Sequence, residues 1–96
     1  IPPLDHEAIV DEMERVDGWS LVDDHHITKK YGFKDFKSAL DFVNKVGEEA
    51  ERQGHHPDIK FGWGYVELKF LTHAIDGLHV NDFIMAARCD SLSRGS

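Results

Sequence analysis

The chain has 96 residues, 41% of them hydrophobic and 30% charged, with a formal net charge of −7 at neutral pH. That length gives one small domain, residues 1–96, with no linker-like stretch and no room for a second core. Nothing approaches the roughly 18 apolar residues of a membrane span, and an acidic chain without a lysine and arginine cluster is not built to bind a phosphate backbone, so neither a membrane nor direct nucleic-acid contact is expected.

After Pro2-Pro3, the apolar positions Leu4, Ala8, Ile9 and Met13 recur at helical spacing among acids, predicting a short amphipathic helix that ends before Gly18. Trp19 to Val22 and Ile27 to Phe33 alternate apolar and polar residues around the turn Asp23-Asp24-His25-His26, which reads as a hairpin. From Asp35 the set Phe36, Leu40, Val43, Gly47 and Ala50 marks the inner face of the longest helix. Asp35 suits its N-cap, and Gly54 suits a left-handed residue at its end. A second hairpin follows, with strands near Ile59 to Phe61 and Val66 to Thr72. Asp76-Gly77 marks another turn, and Val80, Phe83, Ile84 and Ala87 define the inner face of a last helix, with a frayed tail from Ser91 to Ser96.

The order is α-β-β-α-β-β-α, without internal repeats. The expected class is α+β, a four-stranded antiparallel sheet with three helices packed on one face. Self-association would help so short a chain bury apolar surface. The single cysteine, Cys89, precludes an internal disulfide and suits a reducing, cytoplasmic compartment; it reads as a small buried helix residue. No charged segment leads into an apolar run, so no signal peptide is expected.

Chemistry concentrates in His55-His56-Pro57 and Thr72-His73, because histidine exchanges protons near neutral pH. Glu51 stands four residues before His55, where a helix would lay its carboxylate beside the imidazole. Pro57 pushes His56 toward extended backbone. If the second hairpin returns to its starting edge, His73 at the end of its last strand joins this cluster, and Asp82 approaches from the final helix. His25-His26 and His6 read as solvated, and Trp19 and Trp63 as core fillers or as flat walls for a planar ring.

The pattern Glu51, three residues, His55-His56-Pro57, five residues, Trp63, nine residues, His73, eight residues, Asp82 resembles that of the pterin-4a-carbinolamine dehydratases. Phe33-Lys34-Asp35-Phe36 and the Thr72-His73 to Gly77-Leu78 segment extend the likeness over nearly the whole chain. The resemblance implies a lyase that dehydrates 4a-hydroxytetrahydrobiopterin to quinonoid dihydropterin during tetrahydrobiopterin recycling, using neither metal nor redox cofactor. It implies a homodimer or homotetramer. His55, His56 and His73 match the residues that bind the pterin and move protons, and Glu51 and Asp82 match supporting acids. We assign His56 the main acid/base role, with His55 and His73 holding the pterin and sharing proton transfer. Gly54, Leu71, Thr72 and Ala74 match pocket positions, and Trp19 a tryptophan near them.

Three positions depart from the family pattern. Gly54 stands where an aspartate is common, Leu71 where a serine is, and His79 where threonine or serine usually caps the last helix. Two rivals remain. A dimerisation module for a transcription factor, with a nuclear location, would use a helix face instead of the histidines. A three-histidine zinc site would use His55, His56 and His73, although adjacent histidines are awkward ligands.

Overall fold

Strand alternation decides which side of the sheet is covered. The computed structural model describes residues 1–95. Its strands, β1 (Ser20–Val22), β2 (His26–Gly32), β3 (Asp58–Gly62) and β4 (Tyr65–Phe70), form one antiparallel sheet in the order β1-β2-β4-β3. Directly opposed residues share a face, and the register pairs Ile27 with Phe70, Tyr31 with Val66, and Ile59 with Leu68. Ile27, Val66, Leu68 and Phe70 are fully buried on that face, while Thr28, Lys30, Lys60, Glu67 and Lys69 occupy the other.

Three helices, α1 (His6–Met13), α2 (Phe36–Gln53) and α3 (Val80–Arg94), complete the expected α-β-β-α-β-β-α order and the α+β class. The Asp35 carboxylate accepts from the Ser38 N–H at 2.8 Å and caps α2, and Gly54 closes it with φ of 64°. α2 lies on β4 with Ala39, Phe42, Val46 and Ala50 buried; Phe42 meets the rings of Tyr31 and Phe33. The expected inner face was offset. Phe36 and Leu40 are exposed, because α2 carries two neighbouring apolar stripes and the sheet takes the one centred on Phe42.

α3 departs further from expectation. Its buried residues are Asp82, Phe83, Met85, Ala86, Cys89 and Asp90, whereas Val80, Ile84 and Ala87 are exposed. Two buried aspartates on the inner face hid the true stripe. Asp90 accepts from the Tyr31 hydroxyl at 2.6 Å, the Lys29 ammonium at 2.8 Å and the Trp19 indole at 3.2 Å. This anchor holds the end of α3 on β2, so helix continues through Ser91 to Arg94 where fraying was expected; Ser96 lies outside the described residues. Burial and the Asp90 bond push the Tyr31 hydroxyl well above its ordinary pKa.

Candidate active site

The first local event that shapes the site is the end of α2. Gly54 turns left-handed, and the N–H of His55 folds back to the Ala50 carbonyl at 3.1 Å. His55 thereby leaves the helix. The four-residue spacing from Glu51 then loses its meaning, and the expected Glu51–His55 pair does not form. Glu51 instead pairs with Nε2 of His56, while Nε2 of His55 meets Oδ1 of Asp82 at 2.5 Å, across 27 residues of sequence.

Asp82 is wholly buried. Its other oxygen accepts from the Thr72 hydroxyl at 2.8 Å and the His79 N–H at 3.0 Å. One carboxylate therefore ties together three segments: the end of α2, the chain after β4 and the start of α3. Three donors offset the cost of burying it. His79 caps α3 by accepting from the Asn81 N–H at 3.3 Å, as its helix-start position suggested.

Asp82 also fixes the orientation of the His55 ring. The imidazole lies flat on Phe70, with ring centroids 6.1 Å apart and planes 8° from parallel. With Nε2 committed to the carboxylate, Nδ1 is the nitrogen left for proton exchange. His56 is arranged similarly but in the open, its side chain 58% exposed and its Nε2 on Glu51.

His73 is not at the end of a strand. β4 stops at Phe70, and Thr72 bridges Gly77 through N–H to O bonds of 2.8 and 3.4 Å, so His73 rides on a single 3₁₀ turn (His73–Ile75). A Cβ at Gly77 would meet the Pro3 Cβ at 2.7 Å, which leaves glycine the only fit for this bridge. Thr72 bonds to Asp82, so the chain entering the exposed His73 turn is tied to the carboxylate that holds His55.

The remaining expected positions divide. Gly54 and Ala74 are exposed, with open space around a Gly54 Cβ, and Pro57 is half-buried beside His56. Leu71 is buried, at 5% exposure. Trp19 is equally buried, with its ring against Tyr31 and Phe70 and its indole on Asp90. Trp63, at the tip of the second hairpin, is exposed.

A recess of about 230 Å³ beside His55 is lined by Gln53, Asn81, Ile84 and Met85. None of these was expected, although Gln53 flanks the histidine doublet and Asn81 precedes Asp82. A larger groove between α2 and β3, bordered by Val43, Gly47 and Ile59, reaches the histidines only through Glu51. Among the described residues, no three histidine, cysteine or acidic side chains are grouped so as to hold a metal ion.

This arrangement, with the His55 and His56 rings each held by a carboxylate, coincides with a family match. Residues 2–92 match the model of pterin 4 alpha carbinolamine dehydratase. The chain belongs to this family. Relatives bearing the pterin-4-alpha-carbinolamine dehydratase name include one from Rubrobacter xylanophilus, 50% identical over 96% of this chain and 86% of the relative. Another, from Methylococcus capsulatus, is 50% identical over 97% of this chain and 82% of the relative. The crystal structure of a transcriptional coactivator/pterin dehydratase from Brucella melitensis superposes with a TM-score of 0.89 at 28% identity, covering 95% of this chain and 98% of that one. A pterin dehydratase-like RuBisCO assembly factor of the alpha-carboxysome shares the fold, with a TM-score of 0.69 at 23% identity. As a member of this dehydratase family the chain falls among the hydro-lyases.

Proposed function

We propose that the protein dehydrates 4a-hydroxytetrahydrobiopterin, or a close pterin analogue, to the quinonoid dihydropterin by histidine acid/base catalysis in pterin recycling. The observation that carries this reading is the Asp82-bridged site, in which two adjacent imidazoles are each oriented through Nε2 by a different carboxylate. Both rings then keep Nδ1 for the substrate.

The reaction needs a proton at each end. The C4a–O bond breaks as the hydroxyl takes a proton and leaves as water. The lone pair of a ring nitrogen forms the C=N bond, and the proton on that nitrogen passes to a base. His56, exposed and paired with Glu51, serves as the main acid/base. His55, stacked on Phe70, supplies a fixed base or hydrogen-bond partner, and His73 closes over the pterin from its turn. Gly54 and Leu71 offer no polar side chain, so pterin contacts at these positions fall to backbone groups.

Replacing His56 by Ala should lower kcat for a synthetic 4a-hydroxytetrahydropterin by about 10²-fold or more, with a smaller change in KM. Near-normal turnover would remove His56 from the role. We also expect self-association, favoured by the exposed Phe36 and Leu40 on α2. The same stripe is the surface a coactivator role would use, as the name of the Brucella relative suggests. Substitutions at Phe36 and Leu40, contrasted with His56→Ala, separate that role from catalysis.

A further inference from the structure

His25 and His26 read from sequence as a solvated doublet in a polar turn, and the structure corrects this. Nδ1 of His25 lies 3.0 Å from Nδ1 of His26, and its Nε2 lies 2.8 Å from Oδ1 of Asp76. Asp76 ends the 3₁₀ turn that carries His73, with its N–H on the His73 carbonyl at 3.1 Å. A second bond secures the hairpin itself: His6 of α1 meets Asp24 at 2.8 Å.

Backbone geometry makes the contact more than a chance surface pair. Asp23, Asp24 and Asp76, with φ of 55°, 52° and 49°, are the non-glycine residues in the left-handed region among those described. Such conformations persist only where the surroundings impose them. Asp23 and Asp24 form the primed turn of the first hairpin, closed by the His25 N–H on the Val22 carbonyl at 2.9 Å. His25 joins that turn to the third strained residue.

We propose that His25 is a positioning residue for His73: its bond to Asp76 clamps the tip of the first hairpin to the turn that presents His73. The proposal rests on the assignment of His73 to the pterin site. His25 touches no reacting atom and acts through the backbone of residues 73–76.

The His25–His26 contact makes the clamp sensitive to protons. One nitrogen of the Nδ1 pair must donate and the other accept, so the couple holds at most one proton between the two facing nitrogens. Neutral, His26 donates from Nδ1 and His25 donates from Nε2 to Asp76. With one added proton, His25 donates from both nitrogens and forms an ion pair with Asp76. A second added proton would set two N–H groups against each other and open the contact. The groups facing the couple are Asp76 from the 3₁₀ turn, Asp23 from the hairpin and Lys69 from β4. Burial, then Lys69 and His25, hold His26 below its ordinary pKa, which delays that second protonation.

Four variants test the clamp: His25→Ala, His25→Gln, Asp76→Gly and the His25→Ala/Asp76→Gly double. Glycine relaxes the left-handed turn while removing the acceptor, so a role confined to turn geometry would be unharmed by Asp76→Gly. Each of His25→Ala and Asp76→Gly should reduce kcat/KM roughly tenfold, the double variant no further, and His25→Gln, which keeps a donor near the Nε2 position, should recover to within about twofold. His25→Gln should also lose the part of the acid limb of the pH profile that the couple contributes. Additive losses, or a glutamine variant as impaired as the alanine one, would overturn the proposal. An arm independent of turnover follows amide exchange and the His73 ring resonances by NMR: His25→Ala should speed exchange across 73–76. A wild-type protein lacking dehydratase activity would refute the proposed function alone, whereas unchanged exchange in His25→Ala would refute the clamp alone.

Discussion

Asp82→Asn perturbs the site with least change of shape. The carboxylate accepts three hydrogen bonds, from His55, Thr72 and the His79 N–H, and is wholly buried. An amide offers one acceptor oxygen and one donor nitrogen. Its oxygen belongs on the side with two donors, because the His79 N–H cannot rotate away, whereas Thr72 can. The NH₂ then faces Nε2 of His55, which must give up its proton and carry it on Nδ1, so the nitrogen left for the substrate changes from acceptor to donor. Bonds to a charged acceptor are roughly twice as strong as neutral ones, so about 1 kcal/mol is lost per bond, or about 3 kcal/mol for the three. Relief from burying a charge offsets part of this, leaving a net loss of about 1–2 kcal/mol. For a chain of this size that corresponds to a drop of roughly 5–15 °C in Tm. The effect on kcat should be larger, about 10²-fold to 10⁴-fold, because it removes a correctly protonated acid/base group. Thermal unfolding, steady-state dehydration and ¹⁵N shifts of the His55 ring measure the three consequences. A variant with His55 still protonated at Nε2 and turnover within twofold of wild type would show that Asp82 does not set the His55 tautomer.

His26 is held below its ordinary pKa of 6.5, so the unfolded chain binds more protons there and stability should fall as pH drops below that value. Glu49, bonded to Arg52 and Gln53, and Asp35, bonded to Ser38, lie below the ordinary carboxylate range, so a further loss should begin as pH falls through about 4.5. Urea midpoints across pH 3–8 would expose both; a flat profile would contradict them. The Cys89 thiol is pushed up to about 12 by burial, with Asp90 adding to it, so it should resist thiol reagents at pH 8 until the protein unfolds. Rapid labelling of the native protein would contradict its placement. Asp90→Ala strands the Tyr31, Trp19 and Lys29 donors and should destabilise the fold by about 2–4 kcal/mol, with faster amide exchange in residues 89–94 and little change in KM.

Local chemistry made much of this legible in the sequence. Asp35 and Gly54 bound α2 because a carboxylate cap and a left-handed glycine act on their own neighbours. The strand expected near Val66 to Thr72 is β4, where Val66, Leu68 and Phe70 alternate with Glu67 and Lys69 and form the buried face. What sequence could not supply was set by distant partners. The Glu51–His55 pairing failed because Gly54 takes His55 off the helix, after which Asp82 claims it from α3. The inner face of α3 was missed because Asp90 looks solvent-facing until Tyr31 reaches it, and because Asp82, expected at the histidines, is buried on the same side of the helix as Phe83 and Met85. Likewise His25 reads as solvated until Asp76, far along the chain, meets it.

Dehydration is tested most directly by the loss of chemically generated 4a-hydroxytetrahydropterin, followed by absorbance at low temperature against increasing protein. A first-order rate that rises linearly with protein concentration, and a quinonoid product formed in step, is the result predicted. A rate equal to that of buffer alone at every concentration would show that the protein does not catalyse this dehydration.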